Sequence, residues 1–207
     1  MREFILYSRK GRTAGDFTSL RSAGRLDTVY QCILSALFLS HGIRRDVVFH
    51  AVLEGPPDPP LHLSVKGSEL RDARVDEQTW THLLRKVLPQ ATKSPRTKPY
   101  NQKHRRALGG GAHPGITVCR GSLQSLVRAS SQSGAQIFVL EEKGAELREV
   151  KFGEHTTFIL GDHIGLPRKE ERYALRYGTK LSLGKKRYLA MSCINILNYE
   201  MDCLAPS

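Results

Sequence analysis

No stretch of this 207-residue chain approaches the ~20 consecutive apolar residues that a membrane-spanning helix requires. The opening REFILYSRKGRT has neither the apolar core nor the small-residue cleavage site of a secretory leader, so a cytoplasmic protein is expected. Cysteine is sparse. Cys32, Cys119, Cys193 and Cys203 are widely spaced and form no CxxC pair, which suits reduced thiols better than a disulfide framework or a zinc site. The eight histidines include no HExxH and none at zinc-ligand spacing beside cysteine, so no metal is expected. No GxGxxG follows an apolar run, which leaves a dinucleotide-binding fold without support. The segment GTKLSLGKK (178–186) looks superficially like a phosphate loop. It places five residues between its glycines where four are needed, and Lys186 where Ser or Thr should bind magnesium. Acidic residues are also short, 20 against 32 Lys and Arg, giving a net charge of +12 and a pI near 9.8. That excess points toward a polyanionic partner, with solvated basic faces as the alternative.

What is present is enough for one substantial core in a single domain, residues 1–207. Short apolar runs alternate with helical periodicity and there is no internal repeat, which predicts an α/β fold: an open, largely parallel sheet with helices on both faces. Strands are expected at Glu3–Ser8, Asp46–Leu53, Leu61–Val65, Gly115–Cys119, Gln136–Leu140 and Thr156–Leu160. A first helix is read from Leu26, Val29, Tyr30, Ile33, Leu34, Leu37 and Phe38, with Asp27 near its start and Gly42 just past its end. A second is read over Asp76–Leu88 around Trp80, Leu83, Leu84 and Val87, and a third from a Ser122 cap to about Ser131. Glu141–Gly144 reads as a turn leading to a hairpin-like region near Leu147–Val150. Further helices are expected over Pro167–Tyr177 and Leu189–Leu204.

Between residues 89 and 113 the pattern lapses. Lys93, Arg96, Lys98, Lys103, Arg105 and Arg106 stand there with no acidic residue, as in a mobile basic insertion. Its bland reading is a surface loop; its sharper one is an electrostatic arm that contacts RNA phosphates.

The C-terminal stretch is the most distinctive. TFILGDHIGLP (Thr157–Pro167) and KLSLGKKRYLAMSCINILNYEMD (Lys180–Asp202) each carry an apolar run closed by glycine, where main chain can approach a ligand without a Cβ in the way. Together with REFILYSRKGRT, SAGRLDTVYQCI and GPPDPPLHLSVKGSELR, in that order, they resemble SPOUT RNA methyltransferases, and among these the archaeal TrmY family. The resemblance implies a SPOUT-type sheet with a C-terminal trefoil knot and a homodimer. It also implies S-adenosyl-L-methionine as cofactor and N1-methylation of pseudouridine in the tRNA T loop. A related ribosomal-RNA pseudouridine methyltransferase, or an inert RNA-binding or ribosome-assembly protein on the same scaffold, are the rival readings.

By the same resemblance the cofactor is expected against Leu140, Gly161, Leu181, Ser182, Leu183, Gly184 and Cys193. Plain core packing is the alternative for the leucines and for Cys193. Arg25, in SAGRLD, is expected either to engage RNA or to form no more than an ion pair with Asp27. The family often has proline before this motif, where the present chain has Arg21-Ser22. Asp58, stiffened within GPPDPP, either orients a substrate imide or caps a turn. No residue declares itself as a general base.

Overall fold

The computed structural model describes residues 1–93 and 113–204. The chain begins with strand β1 (Arg2–Ser8), then helix α1 (Leu26–Leu37) and a two-stranded hairpin, β2 (Phe38–Leu39) and β3 (Gly42–Ile43). Strands β4 (Val47–Leu53) and β5 (Leu61–Lys66), helix α2 (Glu77–Val87) and a 3-10 turn (Leu88–Lys93) follow. Beyond the undescribed segment come β6 (Ile116–Arg120), α3 (Leu123–Gln132), β7 (Gln136–Glu146) and β8 (Thr156–Gly161). Helix α4 (Arg168–Ala174), β9 (Thr179–Ser182) and α5 (Ala190–Leu204) complete the described chain.

Seven strands form one sheet in the order β6-β5-β4-β1-β8-β7-β9. The five from β4 to β9 run parallel, and β5 and β6 extend them antiparallel. Strand β1 sits near the middle and is buried along its whole length, so its apolar residues serve both faces. Phe4 and Leu6 join Phe49, Phe158, Phe138 and the inner faces of α1, α2 and α5. Ile5 and Tyr7 point the other way, with Ile159, Val139 and residues of α3 and α4. The parallel register aligns Phe4, Phe158 and Phe138, whose rings stack at 5.5 and 5.8 Å across three neighbouring strands. Both faces of the sheet therefore carry helices, as the alternating pattern predicts.

Helix α5 is fastened across the chain's beginning. Asn198, 2 % exposed, donates to the carbonyls of Ser35 and Ala36 on α1 and accepts from Arg2 at 3.0 Å. Asp202 pairs with both Arg2 and Arg44, at 2.8 and 2.7 Å. Buried polar groups of this kind fix one docking geometry, because any other would leave them unpaired.

Most local expectations hold, and five shift, one being the hairpin-like region near Leu147–Val150, which is a 3-10 turn over Leu147–Glu149. Helix α1 ends at Leu37 rather than running through Phe38, which turns extended, so Gly42 opens β3 instead of closing the helix. Glu141–Gly144 is not a turn: β7 continues through it to Glu146, pairing with β9 on both sides of a bulge. Pro167 is the N-cap of α4 rather than its first residue, and that helix is short, ending at Ala174. The start of the expected mobile arm, from residue 89, lies in a 3-10 turn over Leu88–Lys93 that buries Ala91. The Ser122 signal was local enough to read directly. Asp76 caps α2 by accepting from the Thr79 amide at 2.7 Å, and Ser122 caps α3 in a reciprocal box with Ser125.

Candidate cofactor cleft

The carboxyl ends of β8, β7 and β9 open onto a cavity of about 620 Å³. This is where parallel sheets place ligands, because the loops leaving neighbouring strands diverge there. Leu160 and Gly161 end β8, Leu140 and Glu141 lie at the bulge of β7, and Leu181 sits on β9. Leu183 and Gly184 form the turn after β9, and Tyr188, Leu189, Met191 and Cys193 close the wall from the start of α5. Arg25, Thr28 and Gln31 reach it from the beginning of α1.

Two glycines shape the opening in different ways. A Cβ on Gly161 would lie 2.4 Å from the main-chain carbon of Gly165 and the nitrogen of Leu166, so the loop folds back onto bare backbone. Gly184 instead has φ +103°, a conformation that side-chain-bearing residues rarely adopt, while the space beside it is open. The 161–167 loop is held by Asp162, 8 % exposed. Its carboxylate accepts the main-chain N–H groups of Arg9 and Ile164, each at 2.9 Å, and its own N–H donates to the Tyr7 carbonyl at 3.0 Å. The turn after β9 is braced by Ser182, whose hydroxyl accepts the Gly184 N–H at 3.2 Å.

Of the seven residues expected around the cofactor, Leu140, Gly161, Leu181, Leu183, Gly184 and Cys193 line this cavity. Ser182 does not; it is buried behind the turn and faces an adjoining hollow. Arg25 also lines the cavity, in a left-handed conformation (φ 70°, ψ 38°), with its Nε 3.0 Å from the Asp27 carboxylate. Its side chain is 42 % exposed, so the ion pair leaves part of the guanidinium open to solvent. Asp58 lies outside the cavity lining, in an ion pair with Arg120, and its main-chain N–H donates to the Thr13 hydroxyl at 2.9 Å. Among the expected RNA contacts, Lys93 closes the 3-10 turn, while Arg96, Lys98, Lys103, Arg105 and Arg106 lie outside the described residues. Sequence reasoning missed Thr28, Gln31, Glu141 and Met191 as cavity residues.

The donor set fits S-adenosylmethionine. Apolar side chains and bare main chain suit an adenosine, and Glu141, Glu142 and Asp162 on the wall suit a ligand bearing sulfonium and ammonium charges. Burial pushes the Glu141 carboxyl up, reinforced by Glu171 nearby. Burial also pushes the Cys193 thiol up to about 11, so this thiol is neutral at physiological pH. Among the described residues no group of three or more His, Cys, Asp or Glu is arranged to hold a metal ion.

Residues 1–205 match the family described as "Putative SAM-dependent RNA methyltransferase". The chain belongs to that family. It is 36 % identical over 208 residues to the tRNA (pseudouridine(54)-N(1))-methyltransferase of Methanocaldococcus jannaschii, covering 98 % of this chain and 97 % of the relative. The protein of the same name from Pyrococcus abyssi is 33 % identical over 211 residues, covering 99 % and 98 %. Among solved structures, Archaeoglobus fulgidus Nep1 bound to S-adenosylhomocysteine superposes with a TM-score of 0.65. That match covers 98 % of this chain and 97 % of the other at 14 % identity, and so bears on the fold alone. Membership makes the chain an RNA methyltransferase that uses S-adenosylmethionine, and the Nep1 likeness supports a SPOUT-type sheet.

Proposed function

We propose that this protein N1-methylates a T-loop pseudouridine of tRNA, position 54 in the names its relatives carry. The observation that carries the reading is full-length identity to those relatives, together with the cavity at the carboxyl ends of β8, β7 and β9. When bound, S-adenosylmethionine supplies a methyl group on a positively charged sulfur. Gly161 and the 183–184 turn would hold the adenosine against main chain, with Leu140, Leu181 and Cys193 as apolar walls. Pseudouridine N1 is a ring nitrogen beside the C2 carbonyl that carries a proton where uridine has its glycosidic bond, so transfer forms an N1–CH3 bond, breaks the S–CH3 bond and releases the N1 proton to solvent. The chain's part is alignment: it fixes the cavity floor and presents Arg25 at the edge to a phosphate or base.

The same reading treats residues 1–207 as one domain, cytoplasmic, with the basic 89–113 segment as an added RNA arm. It also threads the chain from β9 to α5 as a trefoil knot, a reading supported by α5 returning to α1 after β9 has taken the sheet edge. A homodimer completes it. Tyr188, Leu189, Tyr199 and Leu204 are exposed around α5, an apolar surface that a second copy would cover. The test is to incubate the protein with methyl-labelled cofactor and a tRNA bearing T-loop pseudouridine, then digest to nucleosides. Label in N1-methylpseudouridine is expected; label confined to a ribose oxygen or to another base would reject the reading.

A further inference from the structure

Helix α4 leaves the cleft through Leu166 and Pro167 and has two unlike sides. Its carboxylates are engaged with neighbouring elements: Glu171 pairs with Lys180 at 2.7 Å, and Glu170 accepts from Gln124 at 3.4 Å. Its cations are exposed. Arg168 and Arg172 on the helix, and Arg176 in the turn just past its end, follow one another four residues apart, beside Lys169, Tyr173 and, in the same turn, Tyr177. Arg128 joins them from α3, its Nε donating to the Tyr173 hydroxyl. The guanidinium carbons of Arg128 and Arg176 lie 5.8 and 5.7 Å from the centre of the Tyr173 ring. The Tyr173 and Tyr177 hydroxyls are 3.5 Å apart, and Tyr177 is 39 % exposed. Among the described residues none of Arg128, Arg168, Lys169, Arg172 and Arg176 forms an ion pair with a carboxylate.

Five unneutralised cations on one small surface repel one another, and a fold has no need to gather them. Here a tyrosine holds two of them, which removes part of the ordering cost before any ligand arrives. Guanidinium forks suit phosphate oxygens, and an exposed tyrosine ring suits a base or ribose face. We infer that the outer face of α4, with Arg128 of α3, is a phosphate-binding ledge that grips the tRNA backbone beside the nucleotide in the cleft. The inference rests on the proposed tRNA activity, and adds a contact surface built from residues other than the 89–113 segment and Arg25. Such a ledge gives affinity and orientation without base specificity, because phosphates carry no sequence.

The test compares the full chain with its Arg128→Gln/Arg172→Gln/Arg176→Gln variant. Affinity for a tRNA carrying T-loop pseudouridine is followed across salt concentration, and S-adenosylmethionine affinity is followed by calorimetry. Each lost phosphate contact should reduce the slope of log affinity against log salt by about 0.7–0.9, so the triple variant should lose roughly two units. Its cofactor affinity should match that of the starting protein. The single variants R172Q and R176Q, both at exposed positions, should each lose about one such step, and serve if the triple variant folds poorly. Tyr173→Leu keeps every charge but removes the ring that holds two of them, so it should weaken binding with little change in slope. An unchanged slope in the charge variants, with the starting protein binding tRNA normally, overturns the ledge alone. A shift in oligomeric mass with an unchanged slope would also overturn it, by making this face a protein contact. Failure of the starting protein to bind tRNA at all would instead strike the proposed function.

Discussion

The Asp162 carboxylate accepts the main-chain N–H of Arg9 at 2.9 Å, joining residues 153 positions apart. One oxygen is spent on Arg9, after β1, and the other on Ile164 within the cofactor loop. The loop that folds over the cleft and the loop that leads toward Arg25 are thereby set by one buried side chain. Asp162→Asn would turn one acceptor into a donor facing an N–H. We expect it to cost about 1–3 kcal/mol of stability, the range for leaving a buried donor unpaired. Cofactor affinity should fall as well, measured by calorimetry on the folded fraction; wild-type values for both would show that this link does not set the loop.

Gly161 and Gly184 should respond differently to the same alanine. At Gly161 the new Cβ would meet main chain at 2.4 Å, and backbone does not yield, so S-adenosylmethionine binding should be abolished or nearly so. At Gly184 there is room but an unfavourable φ, so Gly184→Ala should cost on the order of 1–3 kcal/mol of local strain and leave weakened binding. Calorimetric titration of both variants settles the order, and equal losses would contradict this geometry.

Arg25 lines the cleft from a left-handed position and spends only its Nε on Asp27. Arg25→Lys keeps the charge and loses the planar fork. An exposed ion pair contributes at most about 1 kcal/mol, so the melting temperature should move little. Methyl transfer to tRNA should drop on the order of tenfold, equivalent to about 1.4 kcal/mol, if two guanidinium contacts become one. Full activity in the lysine variant would return Arg25 to a purely structural ion pair.

The Cys193 thiol gives a pH signature. Burial raises its pKa to about 11, so below that value it is protonated and unreactive. Alkylation of Cys193 should therefore stay slow through pH 9 and accelerate as the pH climbs toward 11. Peptide mass spectrometry reads the rate at this site. Saturating S-adenosylmethionine should slow it further, and an absence of protection would place the cofactor elsewhere.

Much of this was legible in the sequence. The strand pattern and the Ser122 cap followed from apolar runs and turn residues, whereas the cofactor residues came from the family resemblance, and six of those seven line the cavity. Where reading failed, the deciding contact was distant. Glu141–Gly144 looks like a turn because it is polar, yet pairing of Ala145 and Glu146 with β9 carries the strand onward. Phe38 keeps helical periodicity, but it packs edge-on against Trp80 at 6.4 Å and starts a hairpin with Ile43. Thr28 and Gln31 occupy the polar side of α1, and only the placing of the C-terminal loops across from them makes them part of the cavity lining. The α4 ledge was visible only as charge: its row spacing was in the sequence, but Arg128 arrives from another helix.

The surface around α5 makes a prediction about mass. Tyr188, Leu189, Tyr199 and Leu204 are 47, 68, 66 and 65 % exposed, more apolar area than a lone chain gains by showing to water. Sedimentation at micromolar concentration should give twice the 23.2 kDa of one chain. Leu189→Glu should shift the population toward monomer, and a wild-type monomer would remove the dimer from the account.

The most direct test of the central claim uses two tRNAs that differ only at the T-loop target, one with uridine and one with pseudouridine. Uridine spends its N1 on the glycosidic bond, so no adjustment of protein geometry can make that nitrogen a methyl acceptor. With labelled S-adenosylmethionine and nucleoside mass spectrometry, N1-methylpseudouridine should form in the second tRNA and no methylated product in the first. Equal methylation of both would show that the acceptor is not pseudouridine N1, and would contradict the account at its centre.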